Sequence, residues 1–295
     1  MRKLFITAIL SILLHPVSGQ DVVRLISVEI CHCIDTIENM DSLEAKLDRC
    51  FPDAIDAVIG LLDENMQELF YDEATLDKTI DEVYEKFLSY CPKVRKFILE
   101  DKEKSFYKMS NSQKAREFFE AGNKAFNSKD YKTAVKLYLK AIKLDRQWVL
   151  PLDNLGLTYR TTGNYKKAVK YYDKSLSLYP EGRIALQNQA IAYTYLNDFL
   201  HAMNNYDQLL YLYPENPEGY FGTALISFMI KDYERALDFA LYSHKMYVSS
   251  QSENSKDSEK LISMIYEKMK EQGKDSIFFE KAKQSGVNIR FEQVP

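Results

Sequence analysis

The chain is poor in the residues that most catalytic sites need. Only four histidines occur in 295 residues, at His15, His32, His201 and His244. No glycine-rich phosphate loop, nucleophile elbow, paired metal-binding histidines or serine-triad spacing is present. The carboxylates show no pairing that singles out an acid–base couple. These absences lead us to expect no enzyme activity, no cofactor and no metal. Cys31 and Cys33 are the one remote candidate for thiol chemistry, but they lack the usual two-residue gap. Glycine and proline are also scarce, at 10 and 8. Together with abundant Lys, Glu, Leu and Ala, that scarcity favours long helices over strands.

Long apolar runs are missing except at the start. Arg2 and Lys3 are followed by the uncharged stretch Leu4 to Leu14, and then by the small residues Val17, Ser18 and Gly19 before Gln20 and Asp21. This order is that of a secretory signal peptide over residues 1–19, and the run is too short to span a bilayer comfortably. The mature chain, starting near Gln20, is therefore expected to be exported and to have no membrane span. Among exported locations, a periplasmic or secreted one is expected. A chain rich in Lys, Asn and Tyr without a glycosylation sequon is compatible with a bacterial periplasm.

Cysteine is absent after Cys91, and all four cysteines (Cys31, Cys33, Cys50 and Cys91) fall in one short segment. An even set confined in this way in an exported chain reads as a disulfide framework. On a helix, Cys31 and Cys33 point about 200° apart, which directs them to two different partners, one at Cys50 and one at Cys91. Which goes with which stays open. A metal site using His32 and free buried thiols are the alternatives, and the spacing fits no common zinc pattern.

Charge divides the chain. Residues 20–110 hold 21 acidic and 11 basic side chains, net −10, whereas residues 111–182 hold 7 acidic and 14 basic, net +7. A nucleic-acid partner is not expected of an exported chain that is acidic overall. The asymmetry suggests halves that attract one another, a basic face for an acidic partner, or simply solvated helix faces.

Residues 20–110 read as a small helical domain. Val22 to Ile30 begin one helix, and Leu43, Ala45, Leu47 and Phe51 mark a second. Pro52 suits the first turn of a third, carrying Ile55, Val58 and Leu62. A fourth runs from about Leu76 to Cys91, where Pro92 ends or kinks it.

The remainder repeats. In rows of 34, residues 115–148, 149–182, 183–216 and 217–250 align without an insertion. The eighth place is Gly122, Gly156, Ala190 and Ala224. The seventeenth is Tyr131, Tyr165, Phe199 and Tyr233, and the twentieth is Ala134, Ala168, Ala202 and Ala236. The twenty-fourth is Tyr138, Tyr172, Tyr206 and Ala240, and Pro180 and Pro214 close the second and third rows.

This pattern resembles the tetratricopeptide repeat, a helix–turn–helix unit of 34 residues. The resemblance implies an all-α solenoid of four helix pairs over residues 111–250. Over residues 251–295 a capping helix marked by Leu261, Met264, Ile265 and Met269, a shorter piece around Ile277 to Ala282 and a tail should follow. Gly163 and Asn197 should sit in left-handed turns. The first row departs from the pattern at Arg146, and the fourth departs at Val248 and Ala240.

In such stacks the first helices line a groove that binds polypeptide. Phe119, Asn123, Phe126, Asp153, Asn154, Leu157, Asn188, Ile191, Tyr195, Phe221 and Phe228 are expected to face it. Asn154 and Asn188, one repeat apart, look like the asparagine ladder that holds a peptide backbone in some members, or they bond neighbouring helices instead. Asn123 and Asn154 match the asparagines of the family's clamp for heat-shock chaperone termini. Phe119 and Ile184 stand where its lysines belong, so the clamp is not carried over. The expected function is a non-catalytic scaffold for a protein or peptide partner. The alternative is a structural subunit whose groove is filled by its own termini or by self-association.

Overall fold

The computed structural model describes residues 18–34, 36–70 and 72–287, and in them fifteen α-helices and no strand. The expected signal segment, apart from Ser18 and Gly19, and the last eight residues of the tail lie outside the described residues. No helix among the described residues is long and apolar enough to cross a membrane. The chain divides into two compact units between Asp101 and Lys102.

The first unit contains α1 (Gly19–Cys33), α2 (Met40–Ile59), α3 (Glu64–Phe70), α4 (Glu73–Tyr90) and the first turns of α5 (Pro92–Phe106). Ser18 and Asp21 close a reciprocal capping box at the start of α1. Its apolar stripe of Val22, Val23, Ile26 and Ile30 is buried against α2 and α4. Cys31 lies within disulfide distance of Cys91, and Cys33 of Cys50, with Cα separations of 5.3 and 5.7 Å.

One expectation fails here. Pro52 does not start a new helix but sits inside α2, which runs unbroken from Met40 to Ile59. A proline inside a helix costs about 3 kcal/mol. The buried residues before it (Leu43, Cys50 and Phe51) and after it (Ala54 and Val58) belong to one core cluster. Splitting the helix would break that shared apolar face, and its burial offsets the cost. The fourth expected helix is α4, and Pro92 opens α5 rather than merely ending what precedes it.

The second unit is a succession of helix pairs: α6 (Gln113–Asn127) with α7 (Tyr131–Leu144), α8 (Val149–Thr161) with α9 (Tyr165–Leu178), α10 (Arg183–Tyr195) with α11 (Phe199–Leu212), and α12 (Pro217–Met229) with α13 (Tyr233–Ser249). Each helix packs on the next in the series. Every pair turns through a residue of positive φ at the same place: Lys129, Gly163, Asn197 and Lys231. The following Asp130, Asp198 and Asp232 then cap the second helix through their carboxylates.

The small eighth residue has a visible reason in the first two repeats. A Cβ on Gly122 would stand 2.7 Å from the Tyr138 ring, and one on Gly156 would stand 2.6 Å from Tyr172. Each tyrosine ring presses on the backbone opposite it, where the missing Cβ lets the paired helices approach closely.

The series closes with α14 (Ser255–Glu271) and α15 (Asp275–Ser285). Leu261, Ile262, Ile265 and Met269 of α14 are buried against α13, whereas Met264 is exposed. Met264 was expected on the packed side, but Ile262 takes that place.

Candidate functional site

Four of the expected groove residues converge. Asn123, Phe126, Asn154 and Leu157 line one pocket of about 300 Å³ together with Asn127 and Tyr138. Its floor is a polar cluster drawn from three helices. The Tyr138 hydroxyl donates to Asn123 Oδ1 at 2.8 Å, and Asn154 Nδ2 donates to the same oxygen at 2.8 Å. Burial pushes the Tyr138 hydroxyl up to about 12, so it stays a neutral donor. This cluster fixes the two asparagine amides across the first and second repeats. Around it, Phe126 meets Tyr131 edge-on with ring centroids 5.5 Å apart.

Farther along, Tyr195 is 61% exposed and stacks on Tyr165 at 4.6 Å with rings parallel within 1°. One of its faces is thus held while the rest of the ring meets solvent. Ile191, one helical turn earlier on α10, is half-buried. Phe221 rests edge-on against Tyr247, and Phe228 leans on Tyr233, both half-buried.

Three expectations change with these positions. Phe119 is only 7% exposed, with its ring between Tyr138 and Trp148, so it belongs to the core between the first two repeats. Asn188 does not continue a ladder with Asn154. Its amide donates to Ile184 O on its own helix at 2.8 Å, whereas Asn154 bonds across to Asn123. Asp153 is 2% exposed and accepts from the Tyr107 hydroxyl at 2.7 Å. Its burial pushes the carboxyl up to about 6, against the pull of the Ser175 and Tyr107 hydroxyls.

Sequence reasoning missed the residues that support the site. Tyr138 and Tyr165 were visible as repeat aromatics, but nothing in a linear pattern says that one aligns an asparagine pair and the other backs an exposed ring. Segment 102–110 was missed as well. Phe106 stacks on Tyr179 at 4.6 Å, Lys102 and Glu103 pair with Glu181 and Arg183, and Trp148 Nε1 donates to Lys108 O at 3.1 Å. These residues pack with the repeats rather than ending the preceding domain.

Residues 118–147, 154–181 and 187–243 each match a family described as tetratricopeptide repeat. Among solved structures, MamA 41-end from Desulfovibrio magneticus RS-1 aligns with a TM-score of 0.51 at 13% identity, covering 60% of this chain and 96% of that one. The MamA RS-1 ArsTM double mutant aligns with a TM-score of 0.50 at 14% identity, covering 60% and 97%. The first TPR of Spaghetti (RPAP3), solved with an HSP90 peptide, is 25% identical with a TM-score of 0.40, covering 41% and 96%. No curated protein sequence matches the chain. The helix pairs are tetratricopeptide repeats, and the second unit is an α-solenoid. Proteins built on this repeat generally mediate contacts between proteins and are typically not catalysts.

Proposed function

We propose that the protein is an exported, non-catalytic scaffold that holds a polypeptide segment along the face lined by the first helices of its repeats. The pocket of Asn123, Phe126, Asn154 and Leu157 carries this reading. It offers apolar walls for a side chain, and its floor is two amides already oriented by Tyr138. Orientation before binding lowers the ordering cost of association. The exposed Tyr195 ring, backed by Tyr165, is a second rigid anchor of the kind that dominates interface energetics. Ile191, Phe221 and Phe228 add apolar surface between and beyond them. The exported location rests on the signal-like start and on the two close cysteine pairs, which suit an oxidising compartment such as the periplasm or the exterior.

Affinity capture from an extract of the source cells, followed by identification of what is retained, tests the reading. Phe126→Ala and Tyr195→Ala should each weaken capture of the retained polypeptide roughly tenfold or more, equivalent to about 1.4 kcal/mol. Asn154→Ala should cost about 1 kcal/mol for the lost hydrogen bonds. Melting of each variant is measured first. If all three stay folded and retain the polypeptide as the parent does, this face is not the site.

One observation favours the alternative of a structural subunit that covers part of its own surface. Segment 102–110 already occupies Asp153, Tyr179 and Trp148. No residue of that segment lines the pocket, and the Tyr195 ring stays exposed, so the binding reading is preferred.

A further inference from the structure

The outward faces of α7 and α9 carry two matched rows of lysine. Lys132, Lys136 and Lys140 recur at every fourth residue on α7, and Lys166, Lys170 and Lys174 stand one repeat later on α9. All six are exposed, and no ion pair joins any of them to a carboxylate among the described residues. The equivalent places in the third repeat hold Leu200, Asn204 and Gln208. In the fourth they hold Glu234, Asp238 and Tyr242, and there Lys274 and Lys281 pair with the two carboxylates. A fourth-residue spacing sets like charges about 6 Å apart along a helix, which destabilises it. The rows therefore gain from an anionic counterpart with the same spacing. Beside them a cleft of about 490 Å³ opens between the two helices, lined by Leu139, Ile142 and Leu178 and equally by Lys143, Arg146 and Lys174.

A counterpart with this spacing exists in the first unit. Glu73, Asp77, Asp81 and Glu85 recur at every fourth residue of α4, all exposed and none ion-paired among the described residues. Tyr84, next to Asp81 and Glu85 on the helix surface, is 61% exposed. The charge balance of the surrounding chain has the same sense, net −10 over residues 20–110 and net +7 over 111–182.

We infer that α4 of a second copy lies along the lysine rows of α7 and α9, with its Tyr84 edge against the cleft beside them. Each copy presents one surface of each kind, so the contact is head-to-tail and can extend beyond a dimer. A recessed cleft beside cationic rows fits the ridge of a helix. A flat anionic membrane surface would leave the cleft unfilled.

The full chain without its first 19 residues is measured by light scattering coupled to size exclusion, at about 50 mM and 500 mM salt. The expected result is a mass of at least twice the monomer at low salt that falls toward the monomer at high salt, since exposed charges are screened. A double reversal, Lys136→Glu with Lys170→Glu, and a separate one, Asp77→Lys with Asp81→Lys, should each be monomeric at low salt. Mixing the two variants should restore association, because one retains the acidic row and the other the lysine rows. A monomeric parent at low salt overturns the inference. So does association that persists in either reversal, or a mixture that stays monomeric. Parent binding to vesicles of anionic phospholipid, lost in the lysine reversal while the chain stays monomeric, would assign the face to a membrane instead. The lysine substitutions lie on second helices of the repeats and the aspartate substitutions on α4, and none of the four lines the Asn123–Asn154 pocket, so failure here is separable from failure of the binding reading.

Discussion

Lys129 and Lys231 hold the left-handed turn position at φ 61° and 67°, where the second repeat has Gly163 at 74°. A side chain in that conformation costs roughly 1–2 kcal/mol; a glycine removes this cost, but the greater entropy of its unfolded chain offsets part of the gain. Lys129→Gly and Lys231→Gly should therefore each stabilise the second unit by about 0.5 kcal/mol in urea denaturation. A loss of stability would mean that the lysine side chain makes a contact worth more than the strain. Asp153 gives a pH signature. Its folded carboxyl titrates near 6, above the ordinary 3.8, because burial disfavours the charge. The folded state then binds the proton more readily than the unfolded state. The contribution is most favourable below the unfolded value, declines as pH rises toward 6 and is flat above that. Relative to the parent, Asp153→Asn should gain about 2 kcal/mol in unfolding free energy between pH 4 and pH 7. Parallel pH profiles for the two proteins would show that Asp153 titrates normally.

At the scale of the helix, close approach is set by the glycine under each ring. A Cβ on Gly222 would stand 2.1 Å from the Tyr206 ring, so the glycine backbone of the fourth repeat meets a ring of the third. Gly222→Ala should destabilise the second unit by about 1–3 kcal/mol through overpacking. An unchanged denaturation midpoint would show that Tyr206 can move aside. The end of α5 makes a second prediction. Because Phe106, Tyr107 and Lys108 contact Tyr179, Asp153 and Trp148, a fragment of residues 102–295 should melt at a higher temperature than one of residues 111–295. In the shorter fragment Asp153 and the Trp148 indole lose their partners, and each buried group left unpaired costs about 1–3 kcal/mol. Equal melting temperatures would mean that this segment adds nothing to the repeats.

For the whole molecule, two compact units should respond differently to reduction. The Cys31–Cys91 and Cys33–Cys50 pairs span sequence separations of 60 and 17. On the chain-entropy account they stabilise the first unit by about 4 and about 3 kcal/mol. A unit this small has little core to replace them. Calorimetry with and without reductant should show one transition shifting strongly downward and a second, that of the repeats, staying in place. Intact mass after alkylation without reduction should add no label, and four labelled thiols would defeat the paired arrangement.

The 34-residue period was fully legible in the sequence. A repeat must place the same small, aromatic and turn residues at the same distance along the chain, so Gly122 and Gly156, Ala134 to Ala236 and Gly163 declare helix pairs before any coordinate is known. The confined cysteines likewise pointed to cross-links within residues 31–91, because any pairing among the four stays inside that segment. What linear order could not carry is which side chains meet across helices. Phe119 and Phe126 lie two turns apart on one helix, yet Trp148 buries the first and leaves the second on a pocket wall. Asn154 and Asn188 hold identical places, but Asn154 bonds an asparagine of the preceding repeat whereas Asn188 bonds the carbonyl of Ile184 on its own helix. Pro52 reads as a helix start by local preference and stays inside α2 because residues on both its sides share one buried face. Each of these outcomes depends on a partner distant in sequence, and the free energy of that contact outweighs the local preference that the sequence displays.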